Sequence, residues 1–183
     1  MNLDQARSLM QEWVASPALR THMECVAACM GAYAAKMEPE QKERWEVCGL
    51  LHDMDWERHQ NHEEHPFVAV KLLKGKGVDE EILTAILGHA EYSGTPRTTP
   101  MAKVLFAVDE LAGFIVACAK VRPNGMADLE PRSVKKKLKD KAFAAAVSRD
   151  DIAKGIAELG IDETLHIQNC IDAIRAQKDR LGV

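Results

Sequence analysis

The chain has 183 residues, a formal net charge of −4 and a pI near 6. That length fits one domain able to bury its own core without staples, and the acidic balance excludes the overall basic character of a nucleic-acid-binding domain. The amino terminus, Met1-Asn-Leu-Asp-Gln-Ala-Arg7, lacks the basic start and apolar stretch of a signal peptide; a soluble, cytoplasmic protein with neither membrane nor nucleic-acid polymer as partner is expected.

In chain order, the punctuation is helical. Ser16-Pro17 places proline at a first helical position, and Met23, Val26, Ala27 and Met30 recur at helical spacing behind it. The run Trp45 to Leu51 ends on His52-Asp53. His65-Pro66 marks the next start, with Val68, Leu72 and Leu73 on one face, and Gly75-Lys-Gly77 reads as a loop. Asp79 precedes Glu80-Glu81-Ile82 as an N-cap, and Ile82, Leu83 and Ile86 follow. After a loop at Tyr92–Thr99, Thr99-Pro100 opens the most apolar region. Its stretch Met101–Ala119 is interrupted by Lys103, Asp109 and Glu110, and falls short of the roughly 20 apolar residues of a membrane span. Ser148 with Asp151 three residues on, and Asp162 before Glu163, cap two further helices, the last carrying Ile167, Ile171 and Ile174.

These signals predict an all-α fold. A break near Arg122-Pro-Asn-Gly125, followed by a Lys-rich segment, divides a single domain of residues 1–183 into a core over 18–120 and a C-terminal helical subdomain over 121–183. The five cysteines, Cys25, Cys29, Cys48, Cys118 and Cys170, form no CxxC pair and lie in apolar helical segments. They are expected to be reduced, buried filler, in keeping with a reducing compartment.

The chemistry starts from His52-Asp53, an imidazole and a carboxylate that fill a core poorly and grip a metal well. Asp109 shares a helix face with Leu105, Phe106, Ala112 and Gly113, which puts a carboxylate in the core. Burying that charge requires a partner, and the helix alone leaves a salt bridge and a metal equally open. His22 lies beside Met23, Cys25 and Val26, and His89 one turn beyond Ala85 and Ile86. Each alone reads as a hydrogen-bonded core histidine; only the set points to metal.

The order His22, His52-Asp53, His65, His89, Asp109 resembles the HD superfamily of metal-dependent phosphohydrolases over most of residues 18–120. The flanking Gly-Leu-Leu-His-Asp-Met-Asp-Trp, Ile-Leu-Gly-His-Ala, Ala-Val-Asp-Glu-Leu-Ala-Gly and Val-Arg-Pro look like a bacterial and archaeal group of HD hydrolases without an assigned substrate. The resemblance implies a helical bundle with a C-terminal extension and two divalent ions. One is held by His22, His52, Asp53 and Asp109, the other by Asp53, His65 and His89. Such nitrogen and oxygen donors suit manganese, iron, cobalt, zinc or magnesium without choosing among them.

In His59-Gln-Asn-His62-Glu-Glu-His65 three histidines compete for one ligand position. His65, fixed before Pro66, is favoured, with His62 at the pocket mouth and His59 a solvated loop residue. No lysine stands two residues after His52-Asp53 and no Gly-Tyr-Pro follows, which argues against the cyclic-dinucleotide phosphodiesterases of the superfamily. Alongside Asp53, Asp55 is a candidate catalytic carboxylate, to protonate a leaving group or orient a water, against an equal reading as a cap; Glu57 reads as a capping or loop carboxylate. For substrate phosphate, Arg122 is the favoured clamp, with Lys135 and Lys136 behind it, although a lysine run is more often a solvated face.

The expected activity is hydrolysis of a small phosphorylated metabolite or nucleotide by a metal-bound hydroxide. The alternatives are a di-iron oxygenase acting on a polyol or phosphonate, as in myo-inositol oxygenase and a phosphonate-cleaving relative, and a non-catalytic nucleotide-binding HD module.

Overall fold

The computed structural model describes residues 1–183 as ten α-helices joined by turns, with no strand. They are α1 (Leu3–Trp13), α2 (Pro17–Met37), α3 (Lys42–Leu51), α4 (Phe67–Gly75), α5 (Glu80–His89), α6 (Pro100–Lys120), α7 (Pro131–Leu138), α8 (Arg149–Leu159), α9 (Glu163–Arg175) and α10 (Lys178–Leu181). Single 3-10 turns sit at Pro39–Gln41 and Glu91–Ser93.

The capping residues act as the sequence predicts. Ser16 accepts from the Leu19 N–H and Thr99 from the Ala102 N–H, each with proline next in line. Asp79, Ser148 and Asp162 cap α5, α8 and α9 through the N–H groups of Glu81, Asp151 and Leu165. His65-Pro66 departs by one position: Pro66 takes the N-cap place, and its carbonyl accepts the first bond of α4, from the Val70 N–H at 3.0 Å. The buried face of α4 is Ala69 and Leu73, with Val68 and Leu72 partly covered. α1 has no counterpart among the expected elements. No proline announces it; Asn2 and Gln5 form a reciprocal capping box, and Ala6, Leu9 and Met10 supply its buried face.

The two longest helices, α2 and α6, run through the centre of the molecule and pack on each other. α3 lies against α2, α5 and α8 against α6, and α9 across both. Two glycines set the closest approaches. A Cβ on Gly49 of α3 would fall 2.9 Å from the Ala27 backbone, and one on Gly155 of α8 would fall 2.6 Å from Ala107 Cα, so any side chain there would push the helices apart.

One hydrophobic core extends from Ala6 to Leu181, and Val134, Ile152, Ile167, Cys170 and Ile171 from beyond residue 121 enter it alongside Leu105 and Val108. Each fully buried Leu, Met or Phe in it contributes about 1.5–3 kcal/mol of apolar burial. All five cysteines are buried. No helix is long and apolar enough to cross a membrane.

Candidate metal centre

Because α2 and α6 pack together, His22 near the start of one reaches Asp109 in the middle of the other, Nε2 to Oδ1 at 3.0 Å. His52 follows directly on α3 and keeps helical dihedrals. Hydrogen-bonded turns then reverse the chain, with the Met54 N–H on the Leu51 carbonyl and the Trp56 N–H on the Asp53 carbonyl. That reversal aims His52 and Asp53 at the same point. His65 arrives just ahead of α4 and His89 is the last residue of α5, so all six predicted ligands converge.

They converge as two groups that share one residue. In the first, His22 and His52 Nε2 lie 3.3 Å apart, His52 Nε2 lies 3.2 Å from Asp109 Oδ1, and Asp53 Oδ2 lies 3.7 Å and 3.5 Å from the two imidazoles. In the second, His65 and His89 Nε2 lie 3.3 Å apart, and Asp53 Oδ1 lies 3.5 Å and 3.3 Å from them. Asp53 thus turns one oxygen to each group.

The donor set fits divalent ions. Atoms that each bind one ion at ~2.1 Å stand about 3.0–3.4 Å from one another, close to the separations within each group. Three imidazoles are also held in the tautomer a metal requires. His52 Nδ1 donates to the Gly49 carbonyl at 2.8 Å, His89 Nδ1 to the Ile86 carbonyl at 2.5 Å, and His65 Nδ1 to the Asp55 carboxylate at 2.7 Å. Carbonyl and carboxylate oxygens only accept, so each Nδ1 keeps its proton and Nε2 is the atom that would face a metal.

Electrostatics point the same way. Burial raises the Asp53 and Asp109 carboxyls, but the neighbouring histidines, His52 first, outweigh it and hold both well below the usual carboxylate range. Burial likewise disfavours the His52 imidazolium, and Asp53 and Asp109 more than reverse that. The centre is an ionised, strongly cation-seeking cluster.

Asp55, left open by the sequence between a catalytic carboxylate and a cap, has both its oxygens committed within the protein. It is fully buried, and its two oxygens are taken by His65 Nδ1 and, at 2.7 Å, by the Ala69 N–H. It orients a ligand and pins the first turn of α4, and it does not line the cavity above the donors. Glu57 caps, as read, accepting from the Ala15 and Ser16 N–H groups at 2.8 and 3.0 Å. His59 pairs with Glu64 at 3.2 Å on the surface turn.

Arg122, favoured as the phosphate clamp, and the two lysines behind it stand away from the cavity lining. Arg122 binds Asp128 at 2.9 Å and reaches Ser133, tying down the turn after α6. Lys135 pairs with Glu163 at 2.7 Å and Lys136 is exposed. None of the three lines the cavity. α6 carries Asp109 at its midpoint, and the three helical turns between Asp109 and Lys120 take Arg122 to the far end of the helix.

A cavity of about 600 Å3 opens over the donors, lined by His22, Asp53, His65, His89 and Asp109 and further by Trp56, His62, Tyr92, Phe106, Glu110, Asp151 and the chain at Ala146-Val147. His62 stands there as expected, stacked on Tyr92 with ring centroids 4.0 Å apart. Glu110, Asp151, Trp56 and Tyr92 were not foreseen as site residues. Glu110 had a signal, being a second carboxylate inside the same apolar run as Asp109; burial, then the Asp109 charge, push its carboxyl up to about 7. Asp151 looked like a helix-capping companion of Ser148, and Tyr92 like an ordinary loop residue.

Comparison with known proteins adds one finding. A family model described as HD domain matches residues 19–113, just over half of the chain, from the start of α2 to the middle of α6. No curated protein and no solved structure matches the chain. The matched segment contains every donor of both groups, and the chain belongs to the HD domain family, an all-α family of metal-dependent phosphohydrolases.

Proposed function

We propose that this protein is a phosphohydrolase that cleaves a small phosphate ester over two divalent ions. His22, His52, Asp53 and Asp109 would hold one ion, and Asp53, His65 and His89 the other. The observation that carries this reading is the split of the Asp53 carboxylate, one oxygen toward each donor group. Ions bound there supply Lewis acidity, lowering the pKa of a water and withdrawing charge from a phosphoryl oxygen. The chain's own residues do the rest. The Asp53 and Asp109 carboxylates would offset part of the ions' charge and the imidazoles would complete their coordination, Asp55 and two backbone carbonyls hold the ring orientations, and the cavity above the donors would admit the ester.

The test is to strip metal with a chelator, restore manganese, iron, cobalt, zinc or magnesium one at a time, and measure phosphate release from a panel of phosphorylated metabolites. Release that depends on one of these ions supports the reading. Tight metal binding with no phosphate from any ester sinks it.

A second reading, oxygenation of a polyol or phosphonate at two irons, draws on the same centre and gains weight from one observation: no lysine or arginine lines the cavity. Oxygen uptake by the iron-loaded protein in the presence of such a compound, without phosphate release from any ester, would favour it.

A further inference from the structure

Besides the donors, the cavity carries a wall that the two-metal reading leaves unused. Glu110 on α6 and Asp151 in the first turn of α8 both line it, and so do the rings of Trp56, Tyr92 and Phe106. Glu110 accepts only the Ser148 N–H, at 3.1 Å, and the Asp151 carboxylate has neither a hydrogen bond nor an ion pair, its backbone N–H alone being used to cap α8. The two carboxylates thus share one cavity whose lining holds no lysine or arginine.

Neighbouring cations are committed elsewhere. Arg97 is held by Glu158 at 2.7 Å and the Gly88 carbonyl at 2.8 Å, with its guanidinium over the Phe106 ring. Lys154 pairs with Glu91, and Arg149 is spent on the carbonyls of Ala144 and Val147 at 2.6 and 2.8 Å. Asp151 therefore has no protein cation opposite it, and a cationic group on the ligand can supply one. A cavity that carries both aromatic rings and carboxylates can bind an ammonium group through the ring quadrupole and through charge, and the stack on His62 holds the Tyr92 ring in place.

We propose that the cavity selects a phosphate monoester whose alcohol carries an ammonium group, with the phosphate over the donor cluster and the ammonium against Glu110, Asp151 and the Trp56 and Tyr92 rings. This rests on the hydrolase reading for its reaction. A water oxygen forms a bond to phosphorus, and the ester P–O bond breaks with its electron pair going to the alcohol oxygen. That oxygen takes the proton the water gives up, and an amino alcohol and inorganic phosphate leave, the ammonium unchanged.

The experiment compares 2-aminoethyl phosphate and choline phosphate with propyl phosphate, a neutral-chain ester of similar size, on the metal-loaded protein. The ammonium esters are expected to show a KM roughly tenfold lower, a ratio that Asp151→Asn shrinks and Asp151→Lys inverts. Binding of choline alone, followed by the fluorescence of Trp56 with Trp56→Phe as the signal control, gives a readout that needs no turnover. It should weaken in Asp151→Asn and vanish in Asp151→Lys. Propyl phosphate handled as well as the ammonium esters would overturn the selectivity and leave the hydrolase standing. No phosphate from any ester, with choline binding that still depends on Asp151, would remove the hydrolase reading and keep the ammonium site. Choline binding indifferent to Asp151 overturns the ammonium site whatever the turnover.

Discussion

The two donor groups that meet at Asp53 are held by different kinds of structure. The first hangs on the central pair of 21-residue helices: His22 comes from α2 and Asp109 from α6, locked by the core that packs these helices together. The second is built from the edges of elements. His65 sits on the turn ahead of the nine-residue α4, and His89 is the terminal residue of α5. Helix packing brings His22 and Asp109 of the first group together, whereas in the second a buried carboxylate, Asp55, holds the loop-borne histidine. Rigid scaffold and local hydrogen bond do the same job at different cost, and the second is the more easily broken.

The largest effect belongs to the shared residue. Asp53→Ala removes an oxygen from each group, and bound metal and activity are expected to fall together to background, as measured by elemental analysis and phosphate release. Next come His22→Ala and His89→Ala, which should separate the groups. Each is expected to lose one of two bound ions and to leave the other in place, so a stoichiometry that drops to zero in either variant would show a single shared ion.

Asp55→Ala acts on one side only. It leaves His65 Nδ1 and the Ala69 N–H unpaired in the core, which costs about 2–4 kcal/mol of stability in a denaturant titration, and it weakens the second ion by about 10–100-fold while sparing the first. Equal weakening of both ions would mean that the groups are not mechanically distinct. At the small end, Arg122→Ala breaks a partly exposed pair with Asp128 and should cost at most ~1 kcal/mol. It should leave KM for any phosphate ester unchanged, because Arg122 is remote from the cavity.

Legibility followed the same divide. Helix starts at Ser16, Asp79, Thr99, Ser148 and Asp162 could be read locally, since a cap and its N–H partner lie within three residues of each other. The shifted start at Pro66 could not. It depends on a turn in which Asn61 accepts from the Glu63 and Glu64 N–H groups before α4 begins. The candidate donors were legible as a set: polar groups interrupting or ending apolar helical patterns, in the order that resembles the HD superfamily. Asp55 showed the same anomaly, but its partner lay ten residues away across a chain reversal that no periodicity announces.

Arg122 was misjudged for a related reason. Nearness in sequence to Asp109 became distance in space once a straight helix intervened. The cavity wall was the least legible part, since Asp151 and Tyr92 belong to separate elements that meet Glu110 only through packing on α6.

By itself, then, the sequence determined the all-helical architecture, because periodicity and caps are local properties of a chain, and its resemblance to the HD superfamily picked out the six candidate donors. Only the tertiary structure decided that Asp53 faces two groups, that Asp55 bonds a histidine and the first turn of α4, and that the cavity wall is acidic and aromatic with no lysine or arginine. Those facts are directions and distances between elements, and they exist only after a shared core has set the helices against one another.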